Sequence, residues 1–123
     1  MNYFLSFGSE NKYADAVKRL EKQANRTNIF ETIVVYTAED LRELDEFWNL
    51  HSEFIKNNPK KFGYGIWKPY IVMKLLLFMN YGDVMMYADA NCDFDIDCEN
   101  VKEAFEEIVC KEGFEMCSSL SEN

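Results

Sequence analysis

The sequence predicts an α/β domain on a mostly parallel sheet, and three observations carry that reading. Strand-like and helix-like patterns alternate in the order strand, helix, strand, helix, helix, strand. Residues 84–87, VMMY, are apolar on both faces, as a strand buried inside a parallel sheet is. The chain has 123 residues and 48% apolar side chains, enough for one domain with a modest core.

The first strand is read over residues 2–7, NYFLSF, and stops at Gly8. Ser9 or Asn11 offers a cap for the next helix, on which Tyr13, Val17, Leu20 and Ala24 recur at helical spacing. Residues 30–36, FETIVVY, are rich in β-branched side chains and read as the second strand. Thr37 followed three residues later by Asp40 supplies the cap and acidic first turn of a further helix. Leu41, Leu44, Trp48 and Ile55 line one face of it, widened by Phe47 and Phe54, and Asn58-Pro59 ends it.

Residues 60–67 form a glycine-broken aromatic loop. Pro69 suits the first turn of a helix, where its missing donor costs nothing. Ile71, Val72, Leu75, Leu76 and Met79 follow, with Gly82 as the expected C-terminal cap. The third strand is expected to end at Asp89, the crossovers to be right-handed, and the first strand to be central in the sheet. A last amphipathic helix carries Val101, Phe105 and Ile108 and closes at Gly113, and residues 118–123 are expected to fray. A single domain therefore spans 1–123, without repeats or a linker.

Charge is divided unequally. Of a net −9, residues 1–82 hold 11 basic and 10 acidic side chains, whereas residues 83–123 hold 2 basic and 12 acidic. Nucleic acid is a poor partner for such a chain, because duplex binding needs clustered Lys and Arg to replace counterions. No apolar run approaches the ~18 residues of a membrane span. The first ten residues lack the basic flank of a secretion signal, which argues for a cytoplasmic protein. Cys92, Cys98, Cys110 and Cys117 have neither the close pair of a zinc site nor a nearby histidine, and they read as free thiols in a reducing compartment.

In an open α/β sheet, ligands sit beyond the carboxyl ends of the strands. Ser6-Phe7-Gly8, Tyr36-Thr37 and Asp89-Ala90-Asn91 are expected to converge there. Gly8 either admits a ligand close to the backbone or only makes a turn, and Tyr36 either flanks a base or only packs. Asp89 and Asn91, two residues apart where a strand gives way to a loop, can share a hard divalent cation; the alternative is that Asp89 caps a helix or pairs with a base such as Lys68. Lys68, beside Pro69 at a helix start, suits a phosphate or is an ordinary surface lysine. Trp67 and Tyr70 fit the core as readily as a ligand platform. His51 reads as structural. The run Asp93, Asp95, Asp97 is not an EF-hand, because Cys98 and Ala104 stand where that loop needs Gly and Glu. Ser-His-Asp, Walker and G-x-G-x-x-G patterns are absent from the sequence.

Three blocks resemble a family of small GT-A-fold glycosyltransferases of bacteria and large viruses, with the pattern F-G-S, G-F-G-Y-W-x-W-K-P-Y and D-x-L-L-Y-x-D-A-G-C. Here they stand as Phe7-Gly8-Ser9, as Lys61-Phe62-Gly63-Tyr64-Gly65-Ile66-Trp67-Lys68-Pro69-Tyr70, and as Asp83 to Cys92. Gly65 replaces a Trp of the pattern, and Asn91 replaces a Gly. The resemblance covers about residues 2–110. It implies that Asp89 meets a metal (Mn²⁺ or Mg²⁺) and a diphosphate. It further implies that Trp67 and Lys68 reach the nucleotide sugar, and that Ser6, Phe7, Gly8 and Tyr36 line the nucleoside pocket. The implied reaction moves a sugar from a nucleotide-diphosphate donor, UDP before GDP, to a glycan or other hydroxyl acceptor. Enzymes of this kind are much longer, so the chain reads as the N-terminal donor-binding half. The alternative is a truncated or inactive nucleotide-binding or interaction domain without turnover.

Overall fold

In the computed structural model of the protein, residues 1–94, 103 and 105–107 are described. Three strands form one all-parallel sheet in the order β2-β1-β3, with β1 at Asn2–Gly8, β2 at Thr32–Thr37 and β3 at Val84–Tyr87. The sequence expectation of a parallel α/β sheet with β1 central is met. Within residues 1–94, five helical segments complete the order: α1 (Lys12–Arg26), α2 (Ala38–Arg42), α3 (Asp45–Asn57), α4 (Lys61–Tyr64) and α5 (Trp67–Leu76).

Alternation along the strands sorts the side chains into two layers. On one face Phe4 of β1 packs with Leu20 and Ala24 of α1, joined by Ile33, Met86 and Phe94. On the other, Leu5 and Phe7 pack with Leu41, Phe47, Ile55, Phe62, Trp67 and Ile71 from α2–α5, joined by Val34, Tyr36, Met85 and Tyr87. β1 is therefore buried on both sides. The chain leaves it for β2 by way of α1 and returns past it to β3 by way of α2–α5. This makes the β1–β3 boundary the place where the topology switches direction.

Several element boundaries differ from the sequence reading. β2 begins at Thr32, two residues after Phe30, whose ring lies 5.3 Å from Phe4. β3 ends at Tyr87, so Asp89 stands two residues beyond the strand. Tyr13 is exposed, while Val17, Leu20 and Ala24 are buried as expected. Asn11 holds the cap position of α1 but makes no side-chain cap bond. At α2 the expected cap is present: the Asp40 carboxylate accepts from the Thr37 backbone N–H at 2.8 Å.

The single helix expected from residue 38 to 57 is broken at Glu43 and Leu44, and Leu44 has left helical geometry with ψ 92°. The reason is angular. Leu41 and Phe47 are six residues apart, about 240° around a continuous helix, yet both are buried against β1. Only a bend lets both face the sheet. Phe47 thereby displaces Leu44 and Trp48 from the centre of the face, and Phe54 is exposed. α5 likewise stops at Leu76, not at Gly82. The backbone N–H groups of Phe78 and Met79 reach back only three residues, to Leu75 and Leu76. Gly82 (φ 94°) instead serves the turn into β3, where the Asp83 carboxylate accepts from the Asn80 N–H.

The stretch expected as a glycine-broken loop is a left-handed turn. Lys61, Phe62, Gly63, Tyr64 and Gly65 all have φ between 52° and 80°. Tyr64 and Gly65 donate to the carbonyls of Lys60 and Lys61, four residues back. L-residues avoid this winding at a cost of roughly 1–2 kcal/mol each, so burial must hold it. Phe62 is buried against Phe7 and Trp48, and the Trp67 indole N–H donates to the Lys61 carbonyl at 3.3 Å.

Glu103 and Phe105–Glu107 are helical, and Phe105 meets Phe30 edge-on at 5.5 Å. Val101, Ile108, Gly113, the three later cysteines, Asp95 and Asp97, and the 118–123 tail lie outside the described residues.

A methyl group on Gly63 would lie 2.7 Å from Ile55 Cγ1, whereas one on Gly65 would meet nothing within 4 Å. Gly63→Ala should therefore combine clash with backbone strain and cost about 2–3 kcal/mol, against about 1 kcal/mol for Gly65→Ala. Urea unfolding of the two variants beside the wild type measures that difference.

Candidate functional site at the carboxyl edge of the sheet

The parallel register brings the strand ends together: Phe7 lies opposite Tyr36, Gly8 opposite Thr37 and Leu5 opposite Tyr87. The segment leaving β3 is held in place by three attachments. The Ser6 hydroxyl, fully buried, donates to the Ala88 carbonyl at 2.6 Å. Arg19 of α1 donates to the carbonyls of Cys92 and Ala90, at 3.0 and 3.4 Å, and pairs with Asp93. Gln23, one turn on, donates to Asp93 and accepts from the Phe94 N–H. Arg19 and Gln23 escaped the sequence reading, because pairing across some 70 positions leaves no local spacing.

Asp89 sits in the loop so fixed. Its Oδ1 accepts from the Tyr87 hydroxyl at 3.1 Å and lies 3.6 Å from Lys68 Nζ. The Lys68 ammonium in turn stands 4.9 Å from the Tyr87 ring centre and 5.8 Å from that of Trp67. Of the two readings open for Asp89, a pair with Lys68 is what the geometry contains. Both side chains are about half exposed. Burial, and then the neighbouring Asp89 carboxylate, push the Tyr87 phenol well above its ordinary range. Tyr36 is raised by burial too, and then by Tyr70 and Asp40.

The other predicted site residues divide by accessibility. Phe7 and Trp67 are buried and stacked on each other at 4.0 Å, so they form the floor beneath the edge. Gly8 is buried, and a methyl group there would lie 2.1 Å from the Tyr13 carbonyl oxygen. Its missing side chain lets β1 close against the start of α1. Asn91 is exposed, two residues past Asp89. His51 lies with its ring 5.0 Å from Phe47.

Sequence reasoning also missed a polar cavity of about 440 Å³ at the β1 and β2 ends, lined by Ser9, Glu10, Asn11, Lys18, Thr37 and Arg42 among others. Arg42 is fixed there by Glu10 at 2.7 Å and by the Trp48 and Phe62 ring faces. Thus the edge carries a lysine–carboxylate pair beside β1 and β3 and an anchored arginine beside β1 and β2.

Among the described residues, no three His, Cys, Asp or Glu side chains gather as a metal cluster, and no helix is long and apolar enough to cross a membrane. No protein-family model, curated protein or solved structure matches the chain.

Two outcomes test this geometry. Tyr87 has a raised folded pKa, so the stability it carries is present below about pH 10, where unfolded tyrosine is still protonated, and is lost as the pH rises beyond that value. Denaturation from pH 8 to 11 should show a falling slope that Tyr87→Phe reduces, with Tyr36 supplying part of what remains. Gly8→Ala should lower the melting temperature sharply in the absence of any ligand, since its obstacle is the Tyr13 backbone.

Proposed function

We propose that the carboxyl edge binds a nucleotide-diphosphate sugar. On this reading the chain is the donor-binding part of a GT-A-type glycosyltransferase that moves the sugar to a glycan or other hydroxyl acceptor. The observation that carries the reading is the meeting of Lys68 and Asp89 at 3.6 Å, beside the β1–β3 boundary. Open α/β sheets take ligands at such a boundary, and the two residues come from the two sequence blocks that resemble the family.

Each residue has a physical part in the proposal. Lys68, tethered over the Tyr87 ring, offers a mobile positive charge to the diphosphate. Tyr36 stands at the end of β2 where a base would stack, with Phe7 and Trp67 as the apolar floor. Ser6 fixes the backbone leading to Asp89. Asp89 is exposed enough to meet a divalent cation, Mn²⁺ or Mg²⁺, with Asn91 as the neighbouring oxygen donor. One protein carboxylate completed by substrate phosphates and water is an ordinary set for such ions. The cation would neutralise the charge that grows on the departing diphosphate. The half-buried free thiol of Cys92 fits a reducing, cytoplasmic setting.

A second reading, nucleotide binding without turnover, draws on the same pair: the Asp89 carboxylate is already engaged by Lys68 and Tyr87.

Calorimetric titration of UDP, GDP and their sugars, with and without Mn²⁺, tests both. UDP-sugar is expected to bind more tightly with Mn²⁺. Lys68→Ala should weaken binding by roughly tenfold or more, the worth of one charged hydrogen bond. Asp89→Ala should remove the Mn²⁺ effect and cost less than ~1 kcal/mol of stability, because its ion pair is solvent-exposed. Binding without sugar transfer across acceptors would favour the second reading. A folded protein that binds none of these nucleotides would end both.

A further inference from the structure

α5 has an outer face of unusual composition. Pro69, Met73 and Leu76 follow one another at helical spacing on the side turned away from the sheet, and all are exposed. The face continues through the turn that follows, where Leu77 is 79% and Phe78 73% exposed and Tyr81 fully so. An outward helix face ordinarily carries polar residues; between Met73 and Tyr81 the only charged side chain is Lys74. At these exposures Met73, Leu76, Leu77, Phe78 and Tyr81 together leave on the order of 700 Å² of side-chain-rich, mostly apolar surface in solvent.

We propose that this face is the contact between two copies of the chain, related by a two-fold axis. Three observations favour a second copy over a different partner. The area is close to the ~800 Å² that each partner contributes to a stable interface of standard size. The face is nearly uncharged, so it holds nothing to select a partner of opposite sign. A two-fold contact, in contrast, needs only one self-complementary surface. The third is its position. α5 begins at the carboxyl edge, where Lys68 meets Asp89, and runs back toward the amino edge, where the chain enters β3 beside Met1. Leu76, Leu77, Phe78 and Tyr81 thus lie at the opposite end of the sheet from Asp89. The residues that form the face and its surroundings in 1–82 are nearly neutral, so two copies can meet here without bringing the two Asp89 carboxylates together. The same placement leaves both carboxyl edges open.

Sedimentation equilibrium of the full chain, compared with Leu77→Glu/Phe78→Ser, tests the inference, with circular dichroism as the control for folding. The wild type should be a reversible dimer, and the variant should dissociate with a dimer constant weakened on the order of 100-fold, as for loss of central apolar anchors. Hydrogen exchange locates the contact independently: amides of residues 73–81 should gain protection as wild-type concentration rises. The variant should keep whatever nucleotide affinity the wild type has, so failure of the donor-site reading and failure of the dimer are separate results. A wild type that stays monomeric at all concentrations overturns the proposal and leaves the face to another partner. A dimer that survives the double substitution, or protection that rises elsewhere, also overturns it.

Discussion

The stack of Phe7 on Trp67 is the contact on which the arrangement of this protein turns. Phe7 is the last large side chain of the central strand, and Trp67 opens α5; their rings lie 4.0 Å apart and both are buried. The Trp67 indole N–H also donates to the Lys61 carbonyl, which ties the left-handed turn to the same point. Phe62 fills the other side of Phe7 at 5.7 Å. A turn that costs free energy at Lys61, Phe62 and Tyr64 persists because three aromatic side chains close around the end of β1. Lys68 follows Trp67 in the chain, so the stack also sets where its ammonium can reach.

The consequence is a sheet whose two edges differ in chemistry. At the carboxyl edge, charged groups are held by long-range bonds: Lys68 with Asp89, and Arg42 with Glu10. Toward the amino edge, α5 and its following turn expose leucine, phenylalanine and tyrosine. The helix joining the edges carries both characters along its length, with Lys68 at its start and Leu76 at its end. On the two proposals, a dimer formed through the exposed apolar end leaves the carboxyl edge open.

Much of this was legible in the sequence, for identifiable reasons. β3 is a short apolar run between Asp83 and Asp89 and is a strand as expected, but it forms an edge of the sheet and is half-buried rather than enclosed, because the order β2-β1-β3 puts only β1 between two neighbours. The parallel sheet followed from the alternation of strand and helix patterns, and β1 takes the central place expected of it. The break at Leu44 was not legible, because Leu41, Leu44, Trp48 and Ile55 suit a straight helix. Only the sheet's demand for both Leu41 and Phe47 reveals the bend. The left-handed turn was hidden because Lys61, Phe62 and Tyr64 carry no mark of positive φ, and Gly63 and Gly65 alone read as a loop. At the site, Gly8, Lys68 and Asp89 were singled out by residue type and position. That Gly8 faces Tyr13, and that Arg19 and Gln23 anchor the Asp89 loop, depends on how α1 lies against the sheet. Such information is tertiary.

The Lys68–Asp89 pair bears on how a ligand would enter. A lysine with no partner at a sheet edge gains nothing from being placed, and an isolated carboxylate beside a phosphate repels it. Paired, each holds the other over Tyr87 in a defined position. Because both are about half exposed, the pair itself contributes at most about 1 kcal/mol, so exchanging partners costs little. On the donor-site reading, an incoming diphosphate takes Lys68 and a divalent cation takes Asp89, and the two opposite charges separate onto a ligand that supplies both complements. Neither half of that exchange is favoured alone. The phosphate without the cation leaves Asp89 facing negative charge, and the cation without the phosphate leaves Lys68 facing positive charge. On that reading the pair couples the two bindings in the same direction, through the exchange of partners at Lys68 and Asp89.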